Sequence, residues 1–372
     1  MILHFLSDDM FSDYVISQFS GPEMCSEFVL MSGLEITRCF QSVDKVVRVN
    51  PYEKGEMASL IASLKNYSGI ILHGLFYQWC EMILKNVPDN VKVAWVFWGG
   101  EIYGRKDLKK SFLSRRSRLL FGIHQLKKGI EGKEWGDNYE LPLELFNRID
   151  YCLTDIHEDF DFVAFYTQSK MKEVWYNYYS IDETIGDLRN QCVEGNNILV
   201  GNSSSLTCNH LDGFRSAKKF CGENSEIIVP LSYGEPWLRN FLVKKGMHIF
   251  GHRFHPLVDF IPRNEYNKLI KSCSVVIMPH YRPQAFGNII TALWLGSRVY
   301  LSENSPFYTF FKRIGITLSS IETDINRAKN LKVLPLSVEE REENRRVLNS
   351  LYDRSVMNRN NQELVTLLEK NS

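Results

Sequence analysis

The chain has 372 residues, 44% of them hydrophobic and 24% charged, with 44 basic and 44 acidic side chains in balance. This is the composition of a globular protein large enough for two domains, and a formal charge of zero leaves no global field to gather nucleic acid. No run of 18 apolar residues offers a spanning helix, and the chain reaches Asp8-Asp9 too soon for a secretory signal.

The eight cysteines (Cys25, Cys39, Cys80, Cys152, Cys192, Cys208, Cys221 and Cys273) show no C-x-x-C pair, which predicts reduced, buried cytosolic thiols. In chain order, residues 1–6 predict a strand that ends in Ser7-Asp8-Asp9. Residues 21–33 read as irregular, and 46–49 as a second short strand. A helix is predicted near 56–65, then a strand over 68–72 ending in His73-Gly74. After a helix over 79–85, residues 91–98 predict a buried strand ending in Gly99-Gly100-Glu101. Three strand tips thus carry glycine or ionisable groups. Polar residues at ordinary strand ends and the lining of a cleft both account for that pattern.

Residues 105–128 follow, rich in Arg and Lys, including Lys109, Lys110, Arg115 and Arg116, with Asp107 the one acid. Leu108, Phe112, Leu119, Leu120, Phe121 and Ile123 are interleaved. An anionic membrane surface or a lipid diphosphate would suit such a stretch; so would a solvated helix with one buried face. Residues 151–154 predict a strand, and Asp159-Phe160-Asp161 is explained by acids opening a helix rather than by a metal site. The polar stretch 180–194 marks the domain boundary. The expected domains are 1–185 and 196–335, with a helical segment over 336–372 that crosses back to the first.

The second half opens with Ile198-Leu-Val200, Gly201, Asn202, Ser203, Ser204 and Ser205, then a helix over 209–220. Strand, glycine, small polar loop and helix is a geometry that binds phosphate, although a simple capped turn uses the same residues. A strand over 226–229 leads to Tyr233-Gly234, a helix spans 235–245, and 248–250 reads as a short strand. After a helix over 262–271 and a strand over 274–278 comes the loop 279–288, with Arg282, Gln284, Gly287 and Asn288 before the next helix. Arg282 offers forked cationic donors, and helix-start N–H groups at Gly287 and Asn288 would face the same anion. A strand over 296–301 and a charged helical region over 338–368 complete the pattern. Alternating β and α predicts a second parallel sheet. There is no G-x-x-x-x-G-K-[ST], no G-x-G-x-x-G after a strand and no G-x-S-x-G, which disfavours P-loop, dinucleotide and common hydrolase chemistry. The expected fold class is α/β, with two Rossmann-like domains facing a central cleft, the GT-B glycosyltransferase design.

Leu199-Val-Gly-Asn-Ser203, Val229-Pro230 with Tyr233, Arg282 with Gln284 and Gly287, and Asn304 with Pro306-Phe307 resemble the TDP-4-acetamido-4,6-dideoxygalactose:lipid II transferases, glycosyltransferase family 56. Ser7-Asp8, His73-Gly74 and Trp98-Gly99 fit the same likeness. The resemblance implies a dTDP-sugar donor, a polyprenyl-diphosphate-linked saccharide acceptor, no cofactor or metal, and a peripheral place on the cytoplasmic face of the bacterial inner membrane. Pro283, Ala285-Phe286 and Gly100-Glu101 depart from the pattern, so common-antigen, O-antigen and capsule pathways are all compatible. On this reading Gly201, Asn202, Ser203, Ser204, Tyr233, Arg282, Gln284, Gly287 and Asn288 bind the donor. Glu101, Asp8 and His73 are the candidate bases, and Lys109, Lys110, Arg115 and Arg116 meet the acceptor or membrane. An epimerase of the same fold and a non-catalytic nucleotide-sugar-binding protein are the alternatives.

Overall fold

The computed structural model describes residues 1–34, 39–128, 139–221 and 225–369. The chain divides into two units, each discontinuous in sequence: Met1–Arg105, Asn138–Ser180 and Tyr352–Ser372 form the first, Lys106–Asp137 and Ile181–Leu351 the second. The end of the chain joins the first unit, whereas 106–128, placed in the first domain by the sequence, join the second. The reason is packing: Leu113 and Phe121 are buried in the second unit's core, and Ser114 N–H bonds to Asn209 Oδ1 at 2.8 Å.

The first unit holds seven strands: β1 (Ile2–Leu6), β2 (Ser26–Met31), β3 (Val47–Val49), β4 (Gly69–His73), β5 (Lys92–Val96), β6 (Tyr151–Thr154) and β7 (Lys172–Trp175). They are all parallel, in the order β3-β2-β1-β4-β5-β6-β7. β1 and β4 are buried along their whole length, which is why they read as continuous apolar runs rather than alternating ones. Residues 21–33 are not irregular as expected. Phe28-Val-Leu-Met31 is an apolar run that the parallel sheet buries beside β1, and its flanking glycines masked it. The helix Arg354–Glu369 seats Leu364, Val365 and Leu368 in this core, close enough that a Cβ on Gly69 would lie 2.8 Å from Leu368 Cβ.

The second unit repeats the plan. Apart from a small pair, Phe220–Cys221 with Leu331–Lys332, its strands form one sheet: β8 (Asn197–Val200), β9 (Ile227–Pro230), β10 (Phe254–Leu257), β11 (Cys273–Met278), β12 (Arg298–Leu301) and β13 (Ser319–Ser320). Their order is β10-β9-β8-β11-β12-β13, again all parallel. The expected strand at 248–250 is the end of the helix Pro236–Phe250. Leu238, Leu242, Gly246 and Phe250 form its buried i, i+4 stripe, and a Cβ on Gly246 would lie 2.1 Å from the Phe254 ring.

Both sheets reverse direction of growth once, between β1 and β4 and between β8 and β11. In open parallel sheets the loops leaving the carboxyl ends of those two strands part and leave a crevice, where ligands bind. The chemistry of each unit therefore concentrates at two loops.

Candidate functional site

In the second unit the two loops are those singled out in the sequence. Gly201 has φ +68°, a left-handed turn where a side chain is strained, and a Cβ there would lie 2.5 Å from the His210 ring. Its N–H still reaches Ile277 O at 3.0 Å, so the turn stays pinned to β11. Ser204 is buried, with its hydroxyl donating to Tyr233 O at 2.9 Å; Gly234, at φ +108°, packs directly on it. Ser204 thus ties one loop to the next rather than presenting a free hydroxyl. Ser203 is buried too, and its carbonyl accepts from His210 Nε2 at 2.7 Å.

The opposite wall is tied to the first through side chains. Thr207 Oγ1 donates to Gln284 Oε1 at 2.9 Å, and Gln284 Nε2 donates to Asn202 Oδ1 at 3.2 Å. Arg282 Nε reaches Thr207 Oγ1 at 3.4 Å, which aligns the guanidinium along this bridge. Ala285 sits at φ +64° immediately before the helix Phe286–Leu295. The first bond of that helix is Ile289 N–H to Ala285 O, so the three N–H groups before it lie outside the ladder and point beyond the helix start. A Cβ on Gly287 would meet open space, and Asn288 Nδ2 donates to Tyr266 OH at 3.2 Å. Tyr233 is 60% exposed at the rim. The crevice is therefore lined by hydroxyls, amides, one guanidinium and a helix N-terminus, a set that favours an anion.

Sequence reading passed over four residues that build this crevice. Asn209, at φ +47° and fully buried, donates to Pro279 O at 3.0 Å and so ties the two loops beneath the bridge. Thr207, His210 and His280 are buried beside it. Their only signal was position within the two featured loops, because each becomes functional through a partner distant in sequence.

The first unit's crevice has different chemistry. Asp8 is engaged by the N–H groups of Cys39 and Phe40 at 3.0 and 3.2 Å, so it anchors a loop. His73 is buried with both ring nitrogens occupied, Nε2 against His4 Nδ1 at 3.2 Å and Nδ1 against Tyr178 OH at 3.1 Å. The chain of bonds sets its own direction. Trp98 Nε1 can only donate, and it gives its proton to Tyr178 OH at 2.7 Å. Tyr178 then donates to His73, His73 to His4, and His4 Nε2 to Ser26 Oγ at 3.2 Å. Burial pushes His73 down to about 3 and, together with the neighbouring His73, holds His4 well below the usual imidazole range. Both histidines are held neutral, with their ring nitrogens bonded within the protein.

Glu101 is buried as well. Its carboxylate takes Trp95 Nε1 at 3.3 Å and the Trp98 N–H at 3.2 Å, and burial raises it to about 7. It holds Trp98 in place. The expected bases Asp8, His73 and Glu101 are thus each committed to protein partners. Asp159, of the Asp-x-Asp pair, accepts from Tyr103 OH within the helix His157–Thr167. Among the described residues no group of three or more His, Cys, Asp and Glu side chains is placed to hold a metal.

The basic segment is only partly exposed. Lys109 is buried, Lys110 lies 6.0 Å from the Phe121 ring centroid, and Arg116 pairs with Asp212 at 2.6 Å. What the helix Arg115–Lys128 exposes is an apolar stripe, Leu119, Ile123 and Leu126, the last 82% exposed, flanked by Arg115, Arg118 and Lys127.

Two parallel α/β units, each with a single reversal of strand order, are the architecture of the GT-B class. Solved structures agree in fold: a glycosyltransferase from Rickettsia africae aligns with TM-score 0.60 at 13% identity over 100% of this chain and 99% of that one. The UDP-forming α,α-trehalose-phosphate synthase of Burkholderia xenovorans aligns with TM-score 0.58 at 9% identity over 100% of both chains. Anabaena HepE in complex with UDP and glucose aligns with TM-score 0.51 at 11% identity over 99% of this chain and 96% of that one. The sequence profile described as 4-alpha-L-fucosyltransferase, glycosyl transferase group 56, matches residues 146–333. The chain belongs to that family and is a glycosyltransferase. No helix among the described residues is long and apolar enough to cross a membrane.

Proposed function

We propose that this glycosyltransferase moves a 4-acetamido-4,6-dideoxyhexose of the Fuc4NAc kind from a dTDP-sugar to a polyprenyl-diphosphate-linked saccharide during bacterial surface-polysaccharide synthesis. The observation that carries the reading is the β8–β11 crevice, where Arg282 and the start of the helix Phe286–Leu295 lie across a Gln284–Thr207 bridge from the Gly201 turn. The donor diphosphate lies between these walls. Arg282 and the N–H groups of Gly287 and Asn288 meet its charge, and Gly201 lets the backbone come close. Asn202, Ser203, Ser204 and Gln284 keep the walls in register, and Tyr233 covers the nucleoside.

As the sugar C1–O bond to the diphosphate breaks, negative charge builds on the leaving oxygen. Preorganised donors there lower the barrier because they need no reorientation at the moment of reaction. The family designation supports a fucose-like donor sugar, and HepE with UDP and glucose supports a nucleoside diphosphate at this kind of fold. The exposed Leu119–Ile123–Leu126 stripe with its flanking cations suits the headgroup layer of an anionic membrane, and supports action on the cytoplasmic face of the inner membrane.

A binding screen of dTDP-, UDP- and GDP-sugars, followed by incubation of the best ligand with polyprenyl-diphosphate saccharides, tests the proposal. The expected result is micromolar binding of a dTDP-sugar and a sugar-extended lipid product. Preference for GDP- or UDP-sugars, or turnover without a lipid acceptor, would overturn it.

A further inference from the structure

Around the β1–β4 crevice the first unit gathers aromatic rings. Phe11, just after β1, lies 4.6 Å from Trp98, 5.0 Å from Tyr178 and 5.6 Å from Tyr179, centroid to centroid. Tyr14 extends this wall against Tyr179 at 4.5 Å, and Phe76 flanks Trp98 at 6.0 Å. All six rings are half-buried. Trp98 is held at both ends, by Tyr178 through Nε1 and by Glu101 through its backbone N–H, so its ring plane is fixed in advance.

Beside the wall is Asp9, also half-buried. Its Oδ1 accepts from Phe11 N–H at 2.8 Å and Ser12 N–H at 3.1 Å, at the entry to the helix Ser12–Phe19, while the Ser12 hydroxyl, 3.4 Å from Oδ1, donates to Ser7 O at 2.7 Å. Its Oδ2 takes no hydrogen bond among the described residues. Asp8, His73 and Glu101 are all committed elsewhere, so Asp9 is the carboxylate on the tips of β1, β4 and β5 with an oxygen left for a substrate. A fixed aromatic wall with a carboxylate at its edge matches one ligand class. A pyranose presents C–H bonds on its faces, which suit the negative faces of aromatic rings, and hydroxyls around its rim, which suit a carboxylate.

We propose that this crevice is the acceptor site, with a saccharide ring lying on the Phe11–Trp98–Tyr179 wall and Asp9 Oδ2 accepting the proton of its nucleophilic hydroxyl. This rests on the reading of the second unit as the donor site. In the step, the acceptor oxygen forms a bond to donor C1 and the bond from C1 to the diphosphate oxygen breaks. That electron pair leaves with the nucleoside diphosphate, and the hydroxyl proton passes to Asp9. Glu101 acts only through Trp98 and is a positioning residue.

The test uses the full chain and three variants. Asp9→Asn keeps an oxygen that can accept from the Phe11 and Ser12 N–H groups, so it separates that anchoring from proton transfer. Transfer should fall about 100- to 10,000-fold while dTDP affinity, read by calorimetry, stays within twofold. Trp98→Ala should raise acceptor KM about tenfold with little change in kcat. It should also weaken the binding of methyl glycosides of hexoses, N-acetylhexosamines and hexuronic acids, titrated without donor. Burial raises Asp9 to about 6. Asp8 adjoins it, Tyr178 faces it, and Glu101 and His73 act through Tyr178. A base must be ionised, so kcat/KM should rise with pH through a midpoint near 6. Glu101→Gln should keep that limb, and the residual activity of Asp9→Asn should lose it.

Asp9→Asn within threefold of wild-type turnover would overturn the base, and Trp98→Ala with unchanged glycoside affinity would overturn the wall. Wild-type protein that binds glycosides but no nucleotide sugar would instead sink the donor reading and leave the saccharide wall standing.

Discussion

The two units share one strand order and one topological crevice, yet fill that crevice with opposite chemistry. At β8–β11 the lining is hydroxyl, amide, guanidinium and helix N-terminus, and its polar groups reach across to one another through Thr207, Gln284 and Asn202. At β1–β4 the lining is carboxylate and aromatic, with the polar groups withdrawn into a neutral chain from Trp98 through Tyr178 and His73 to His4. A repeated scaffold therefore fixes where a ligand sits, and the loop residues decide its charge.

The largest expected break in this contrast is Arg282→Ala. It removes the guanidinium from the anion-lined crevice, and charge-assisted contacts of this kind are worth about 1.5–3 kcal/mol. Nucleotide affinity measured by calorimetry should fall about a hundredfold, with transfer falling in step. Unchanged affinity would mean that the anion sits elsewhere. Thr207→Val and Gln284→Leu cut the bridge without touching that charge. Each should weaken nucleotide binding about three- to tenfold, and the double variant should cost little more than either single one if the bridge works as a unit.

The first unit buries titratable groups that respond to pH in opposite senses. His4 and His73 are held neutral, below the unfolded imidazole value of 6.5, so they stabilise the fold above that pH and lose the contribution as pH falls, His73 down to about 3. The loss is at most about 1.4 kcal/mol per pH unit for each histidine. Between pH 7 and pH 4.5 the Tm of His73→Gln should fall less, or rise more, than that of wild type, because the variant no longer carries a histidine held neutral. Glu101 works in the opposite sense: raised to about 7, it stabilises most below the unfolded carboxylate range and loses that contribution as pH rises through 7. The smallest effect on the fold belongs to the exposed stripe. Changing Leu119, Ile123 and Leu126 to Glu should leave the folding free energy within about 0.5 kcal/mol per site while reducing sedimentation with anionic vesicles at least tenfold. Sedimentation equal to wild type would assign the stripe to solvent.

Much of the β8–β11 crevice was legible because its residues are contiguous. Gly201 to Ser205 follows a buried strand directly, and 279–288 does so again, so local pattern alone brings both to a sheet edge. The β1–β4 crevice was less legible. Asp8 and Asp9 are neighbours with the same side chain, and nothing in the sequence says which one is consumed by the N–H groups of Cys39 and Phe40. His73 looks like a base at a strand tip until His4, 69 residues away, takes its other nitrogen. β2 was hidden because its apolar run sits between glycines that mimic a loop.

By itself the sequence determined the alternation of strand and helix, the two parallel sheets, the glycine turns and the basic character of 105–128. These depend on local periodicity and backbone freedom, which neighbouring residues carry. Only the tertiary structure decided that 106–128 belong to the second unit, that Lys109 is buried and Leu126 exposed, and that Asp9 Oδ2 is left unbonded among the described residues. Hydrogen-bond satisfaction and burial are properties of partners, and those partners lie tens to hundreds of residues away along the chain.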